Sequence, residues 1–183
     1  MGEINNPRPV LLFVAAFSRH PQALQWARHR LLETFGEEAL ASDPFDFDQT
    51  NYYESSMGCE LTKQYWTYES LIDPATLPQV KRMTNGWEQE YAQSANHPES
   101  RPLNLDPGYV TEAKLVLATT KDRDHRLYLA EGIYAEGTLF FHRGEWRERP
   151  WTYPDYKLPS CHAFLTRCRD YLRKRYQTNS PSG

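Results

Sequence analysis

Three cysteines in 183 residues, Cys59, Cys161 and Cys168, are too few and odd in number for a disulfide framework. Their sparseness suits a reducing compartment, and the chain is expected to be cytoplasmic. Cys161 and Cys168 stand seven apart and would share one helix face as small buried hydrophobes rather than as a redox pair. Long apolar runs are missing too. The longest, Val10 to Phe17, is eight residues, against about 20 for a bilayer crossing. It leads directly into polar Ser18-Arg19-His20, so neither a membrane span nor a secretory signal is expected. No charge of one sign dominates: the net charge is -3 and the pI about 6.1, which gives no overall field toward nucleic acid or membrane. The one local basic patch, Arg167, Arg169, Arg173, Lys174 and Arg175, reads as a solvated helix face with cations near its C-terminus, so nucleic acid is not an expected partner. With nine glycines the chain has no Gly-x-x-x-x-Gly-Lys-Ser/Thr, no Gly-x-Gly-x-x-Gly and no Gly-x-Ser-x-Gly. His-Glu-x-x-His and Cys-x-x-Cys are absent as well. Thr120-Lys121-Asp122 approaches the guanine-reading Asn/Thr-Lys-x-Asp element, but Arg123 stands where its aspartate belongs.

What is present points to one α+β domain over residues 1–176, followed by a Ser/Pro/Gly tail over 177–183 expected to be disordered. Val10 to Phe17 is apolar without alternation, as in a strand covered on both faces. His20-Pro21 opens a helix whose Leu24, Ala27, Leu31 and Phe35 recur at helical spacing and which Gly36 stops. Ser42–Tyr53 and Cys59–Tyr68 read as an antiparallel pair around Met57-Gly58. Asp73-Pro74 starts a second helix carrying Leu77, Val80, Thr84, Trp87 and Tyr91, with Asn85-Gly86 as a point of interruption. The polar stretch 95–102 is an exposed connection, and a strand follows near Leu103–Leu105. The expected fold is therefore α+β: a βαββαβ ferredoxin-like sheet with an added C-terminal hairpin and a closing helix. Residues 111–120 fit helix and strand equally. Arg126–Phe141 predicts a hairpin turning at Glu131-Gly132, and Pro159–Tyr176 the closing helix through Phe164, Leu165, Cys168 and Leu172.

Chemistry-bearing side chains concentrate between Arg101 and Tyr156. Asp106-Pro107-Gly108 reads as a tight turn and Trp151–Tyr156 as a rigid aromatic segment, both suited to holding carboxylates at a cleft edge. Arg101, Lys121 and Arg126 offer donors for a phosphate or carboxylate, and Asn104, His125 and Tyr156 complete the candidate ligand-binding set. Asp106, Glu136 and Asp155 are the candidate catalytic carboxylates, as bases or, with His125, as ligands of a divalent metal. Alternation along the hairpin puts Glu136 on the face of Tyr134 and Thr138, opposite Leu139 and Phe141. The bland alternative is that these cations simply pair with neighbouring carboxylates.

Asn104–Tyr109 (NLDPGY), Val116–Lys121 (VLATTK), His125-Arg126, Gly132–Leu139 (GIYAEGTL) and Trp151–Tyr156 (WTYPDY) resemble the signature of an uncharacterised bacterial family, domain of unknown function 4416. The resemblance extends through Phe47–Gly58, Leu71–Lys81 and the N-terminal strand and helix. It departs at Ser56, where the pattern has an acidic residue, and at Lys63, where it has Arg. The resemblance implies no established activity, although some members carry a GTP-binding label. Two readings follow, with oligomeric state left open. One is a protein that binds or processes a phosphorylated or other anionic small molecule in a cleft built from residues 101–156. The other is a non-catalytic interaction module using an aromatic surface of Trp151, Tyr153 and Tyr156. GTP binding is disfavoured by the missing phosphate loop.

Overall fold

The computed structural model describes residues 2–178. Its centre is β1, Leu11–Ser18, every residue of which is buried. Alternate residues feed two cores, as a strand's two-residue period requires. Leu12, Val14 and Ala16 face α1 (Pro21–Phe35) and a later helix, while Leu11, Phe13 and Ala15 face the C-terminal one. α1 buries Ala23, Ala27 and Leu31, and ends at Gly36, whose φ of 83° lies in the left-handed region that favours glycine.

β2 (Glu38–Ala41) and β3 (Phe45–Asp46) both pair antiparallel with β4 (Thr62–Tyr68), and a single helical turn, α2 (Glu54–Met57), lies between β3 and β4. After a 3-10 turn at Pro74–Thr76, α3 runs unbroken over Leu77–Ser94. Asn85-Gly86 does not interrupt it, because the flanking Thr84, Trp87 and Tyr91 are buried against the sheet and packing outweighs the weak local propensity. β5 (Asn104–Val110), β6 (Lys114–Thr119), β7 (Leu127–Ala130), β8 (Ile133–His142) and β9 (Glu145–Glu148) follow. A 3-10 turn at Pro154–Lys157 and α4 (Pro159–Thr178) close the chain. The expected β7–β8 hairpin forms, turning on Glu131 and Gly132 with φ of 54° and 77°. Of the tail expected over 177–183, Gln177 and Thr178 continue α4, and the rest lies outside the described residues.

The sheet is open, antiparallel and nine-stranded, ordered β2-β4-β1-β5-β6-β8-β7, with β3 also on β4 and β9 on β8. A ferredoxin-like sheet does not describe the whole; an α+β fold built on an open antiparallel sheet does. No helix among the described residues is long and apolar enough to cross a membrane.

Two departures from the sequence reading shape the cavity. Asp106-Pro107-Gly108 is not a turn but the interior of β5, where Pro107 lies opposite Val14 of β1. The missing N–H of Pro107 is tolerated because the register with β6 begins only at Gly108. Gly108 is needed there: a Cβ at this position would lie 2.1 Å from the Val116 carbonyl oxygen. The second departure is a bulge in β8, where Leu115 pairs with Leu139 but Val116 pairs with Gly137. Thr138 is the extra residue, so Glu136 turns to the same face as Leu139, not the opposite one.

Candidate functional site

β5 pairs with β1 along its whole length and β6 pairs with β8 along its own, yet β5 and β6 meet over only Gly108–Val110 and Leu115–Leu117. Beyond those pairs the sheet opens. Asn104 and Asp106 line one side of a cavity of about 800 Å3, with Ala118 and Thr119 on the other. Backbone accounting shows what replaces the missing ladder. The Leu105 N–H donates to Glu88 Oε1 at 2.7 Å, and its C=O accepts from Lys81 Nζ at 2.9 Å. Both side chains come from α3, so the helix satisfies the strand where its neighbour does not.

Lys81 reaches on to Asp106 Oδ1 at 3.1 Å, while Asn104 Nδ2 donates to Asp106 Oδ2 at 2.8 Å and Arg101 donates to Asn104 Oδ1 at 2.5 Å. Burial pushes the Asp106 carboxyl up, but Lys81 and Lys63 together with these hydrogen bonds outweigh it and hold the group below the usual carboxylate range. Glu88 is the reverse case: burial dominates and raises its carboxyl, against the pull of Lys81 and the Leu105 N–H.

On the β4 side, Lys63 and Asp155 form an ion pair of 2.7 Å with exposures of only 3% and 2%. The Tyr65 hydroxyl donates to the same Asp155 oxygen at 3.3 Å. Lys63 Nζ sits 4.5 to 5.9 Å from the ring centroids of Phe17, Phe47, Tyr65 and Tyr156, an aromatic cage for a buried cation. On the β8 side, Arg126 donates through Nε to Glu136 at 2.8 Å, through Nη1 to the Lys121 carbonyl at 2.9 Å and through Nη2 to the Tyr153 hydroxyl at 2.8 Å. Although Tyr153 is 40% exposed, desolvation of its hydroxyl, reinforced by Glu136, pushes that group up to about 12.

At the entrance, Lys121 Nζ donates to the Tyr52 hydroxyl at 2.7 Å, which lowers that hydroxyl's pKa. Arg123 makes no side-chain hydrogen bond or ion pair among the described residues, and its charge acts on the same Tyr52 hydroxyl. Six cations and four carboxylates line the cavity, an excess of two positive charges in a chain of net -3. The carboxylates are all matched: Asp155 by Lys63, Asp106 by Lys81, Glu136 by Arg126 and Glu88 by Arg101. Among the described residues the unmatched pair is Lys121 and Arg123.

Of the residues singled out from sequence, Arg101, Asn104, Asp106, Lys121, Arg126, Glu136, Asp155 and Tyr156 all line this one cavity. His125 does not. Its ring stacks on Trp151 with centroids 4.8 Å apart, and its Nε2 lies 3.4 Å from Glu136. Among the described residues, Asp106, His125, Glu136 and Asp155 do not bring three ligand atoms close enough together to hold one metal ion. The aromatic surface expected from Trp151, Tyr153 and Tyr156 does not form either. Tyr156 is buried in the core, Trp151 is half-buried against His125, and Tyr153 alone is exposed. Lys81, Glu88 and Arg123 had not been singled out as site residues, and Lys63 stood out only as a departure from the family pattern. One signal was available: Lys81 and Glu88 each follow a residue of the apolar stripe, Val80 and Trp87, with the same spacing of seven.

The chain is thus an α+β protein whose open antiparallel sheet parts around a charged cavity. It belongs to the family described as domain of unknown function (DUF4416), whose profile matches residues 8–171. No curated protein and no solved structure matches it.

Proposed function

We propose that the cavity binds a phosphorylated or otherwise anionic small molecule. The observation that carries this reading is the charge imbalance: among the described residues, Lys121 and Arg123, both exposed, are the lining cations with no carboxylate in ion-pair contact. The volume of about 800 Å3 falls within the ~300–1,000 Å3 usual for small-molecule sites. Deeper in, the ion pairs present donors and acceptors side by side, a lining that suits hydroxyl groups. Tyr156 adds a buried hydroxyl with no hydrogen-bond partner among the described residues. Binding is supported over catalysis by Asp106, Glu136 and Asp155, each of which is held by a cation. An aspartate kept below its ordinary range, as Asp106 is, makes a weak base and a good acceptor. Nucleotides, GTP included, are one class of such ligands, and nothing in the cavity singles out guanine.

A thermal-shift screen against inorganic phosphate, sugar phosphates, ATP and GTP tests this, with and without Mg2+. Ligand at 100 times its Kd adds about 2.7 kcal/mol, a rise of roughly 5–11 °C for a chain of this size. The Lys121→Ala/Arg123→Ala double variant, altered only at exposed positions, should lose the shift. A shift that survives in this variant, or no shift with any anion, removes the proposal.

A further inference from the structure

Away from the cavity, three potential ligands meet where β1 passes into α1. His20 immediately precedes α1, and His97 and Glu99 lie in the connection that follows α3. One ligand atom from each lies within 4.8 Å of the other two. His20 Nε2 is 2.9 Å from Glu99 Oε2, and the two imidazole rings stack with centroids 3.8 Å apart at 23°. Two further atoms of the cluster have outer partners. Arg19 Nη1 donates to the other carboxylate oxygen, Glu99 Oε1, at 3.0 Å, and the Tyr91 hydroxyl lies 3.2 Å from His97 Nε2. Gly58 leaves room beneath: a Cβ there would lie 2.8 Å from Arg19 Nη1 and 3.2 Å from Glu99 Oε1.

We propose that His20, His97 and Glu99 form a binding site for a divalent transition-metal ion of the zinc and cobalt class. Two imidazoles and one carboxylate are the donor set these ions take, and three protein ligands leave a further position for water. Hydrogen bonds from the unused atoms of ligating side chains orient such sites; Arg19 holds that position on Glu99, and Tyr91 holds it on His97 with Nδ1 as the ligating atom. The His20–Glu99 hydrogen bond marks the line along which an ion would sit between ring nitrogen and carboxylate. The rings must leave their stack so that their lone pairs converge. His97 stands on a connection without regular secondary structure, which can follow the ion. Binding weakens as pH falls, because a ligating imidazole must be neutral.

The test is titration of the full chain with Co2+, read by visible absorption, and with Zn2+, read by calorimetry. One ion per chain is expected. His97→Ala and Glu99→Gln should abolish saturable uptake, while Tyr91→Phe should weaken it by about 10–100-fold. Cys59→Ser removes an exposed thiol and His29→Ala an exposed imidazole; neither should change uptake. Circular dichroism checks that each variant is folded, and Glu99→Gln, which preserves side-chain shape, decides the matter should His97→Ala unfold. Absence of saturable uptake, or uptake unchanged in Glu99→Gln, overturns the proposal.

Discussion

Replacing Lys63 with Met removes the only cation paired with Asp155 among the described residues and leaves the carboxylate in a site 2% exposed. Methionine keeps much of the lysine stem and suits the ring of Phe17, Phe47, Tyr65 and Tyr156, so lost packing is a small part of the effect. The Tyr65 hydroxyl at 3.3 Å is one neutral donor where a charge stood at 2.7 Å. Breaking a buried pair from one side costs about 3–5 kcal/mol. At roughly 2–4 °C per kcal/mol in a chain of this size, the expected fall in Tm is about 6–20 °C. Lys63→Met/Asp155→Asn removes both charges and should recover more than half of that loss, since it is the uncompensated charge rather than the missing bond that destabilises. Urea denaturation followed by circular dichroism measures both variants. A single variant within about 1 kcal/mol of wild type, or a double variant no more stable than the single, refutes the assignment of Lys63–Asp155 as a buried, mutually dependent pair.

Three further outcomes follow from the same geometry. Asp106 is held below the ordinary carboxylate range in the folded state, so its contribution to stability is present above about pH 4 and is lost as pH falls through its folded value. Asp106→Asn should flatten the acid limb of a stability-versus-pH curve, and an unchanged limb contradicts the attribution. Burial pushes the Cys161 thiol up to about 12 and raises Cys168 further, while Cys59 is exposed. A chromogenic disulfide reagent should therefore titrate one thiol in native protein and three after denaturation. Gly108→Ala forces a methyl group against the Val116 carbonyl and should destabilise by at least about 1–3 kcal/mol. Gly137→Ala, with nothing within 4 Å of the new carbon beyond its own chain neighbours, should be close to neutral by thermal denaturation.

Elements with strong periodicity were legible in the sequence: α1 with its Gly36 stop, the stripe of α3, the β7–β8 hairpin and the closing helix all lie where their spacing put them. The cavity was legible in part, because most of the polar residues between Arg101 and Tyr156 do converge on it. What the sequence hid was register. Asp-Pro-Gly has turn composition, and only pairing with β1 along its full length shows that β5 runs straight through it. Period-two counting put Glu136 opposite Leu139, and one bulged residue, Thr138, reversed that while still leaving Glu136 in the cavity. Lys63, Lys81 and Glu88 were hidden for a different reason. Each is a charged residue inside an apolar pattern, and the partners that make its burial tolerable lie 92, 25 and 17 residues away along the chain.

The parting of β5 from β6 makes an edge inside the sheet, and an edge invites pairing wherever it occurs. Outer edges are guarded by charge, proline or a covering loop. This inner one has Pro107 in β5 and the Lys81 and Glu88 clasp on Leu105. The shape of the hollow is therefore encoded in a helix behind the sheet as much as in the strands around it. Exchange of Lys81 and Glu88 for apolar residues would free the Leu105 backbone to recruit β6 and let the two strands zip toward the entrance. The hollow could then narrow or close with every residue on its opposite walls unchanged.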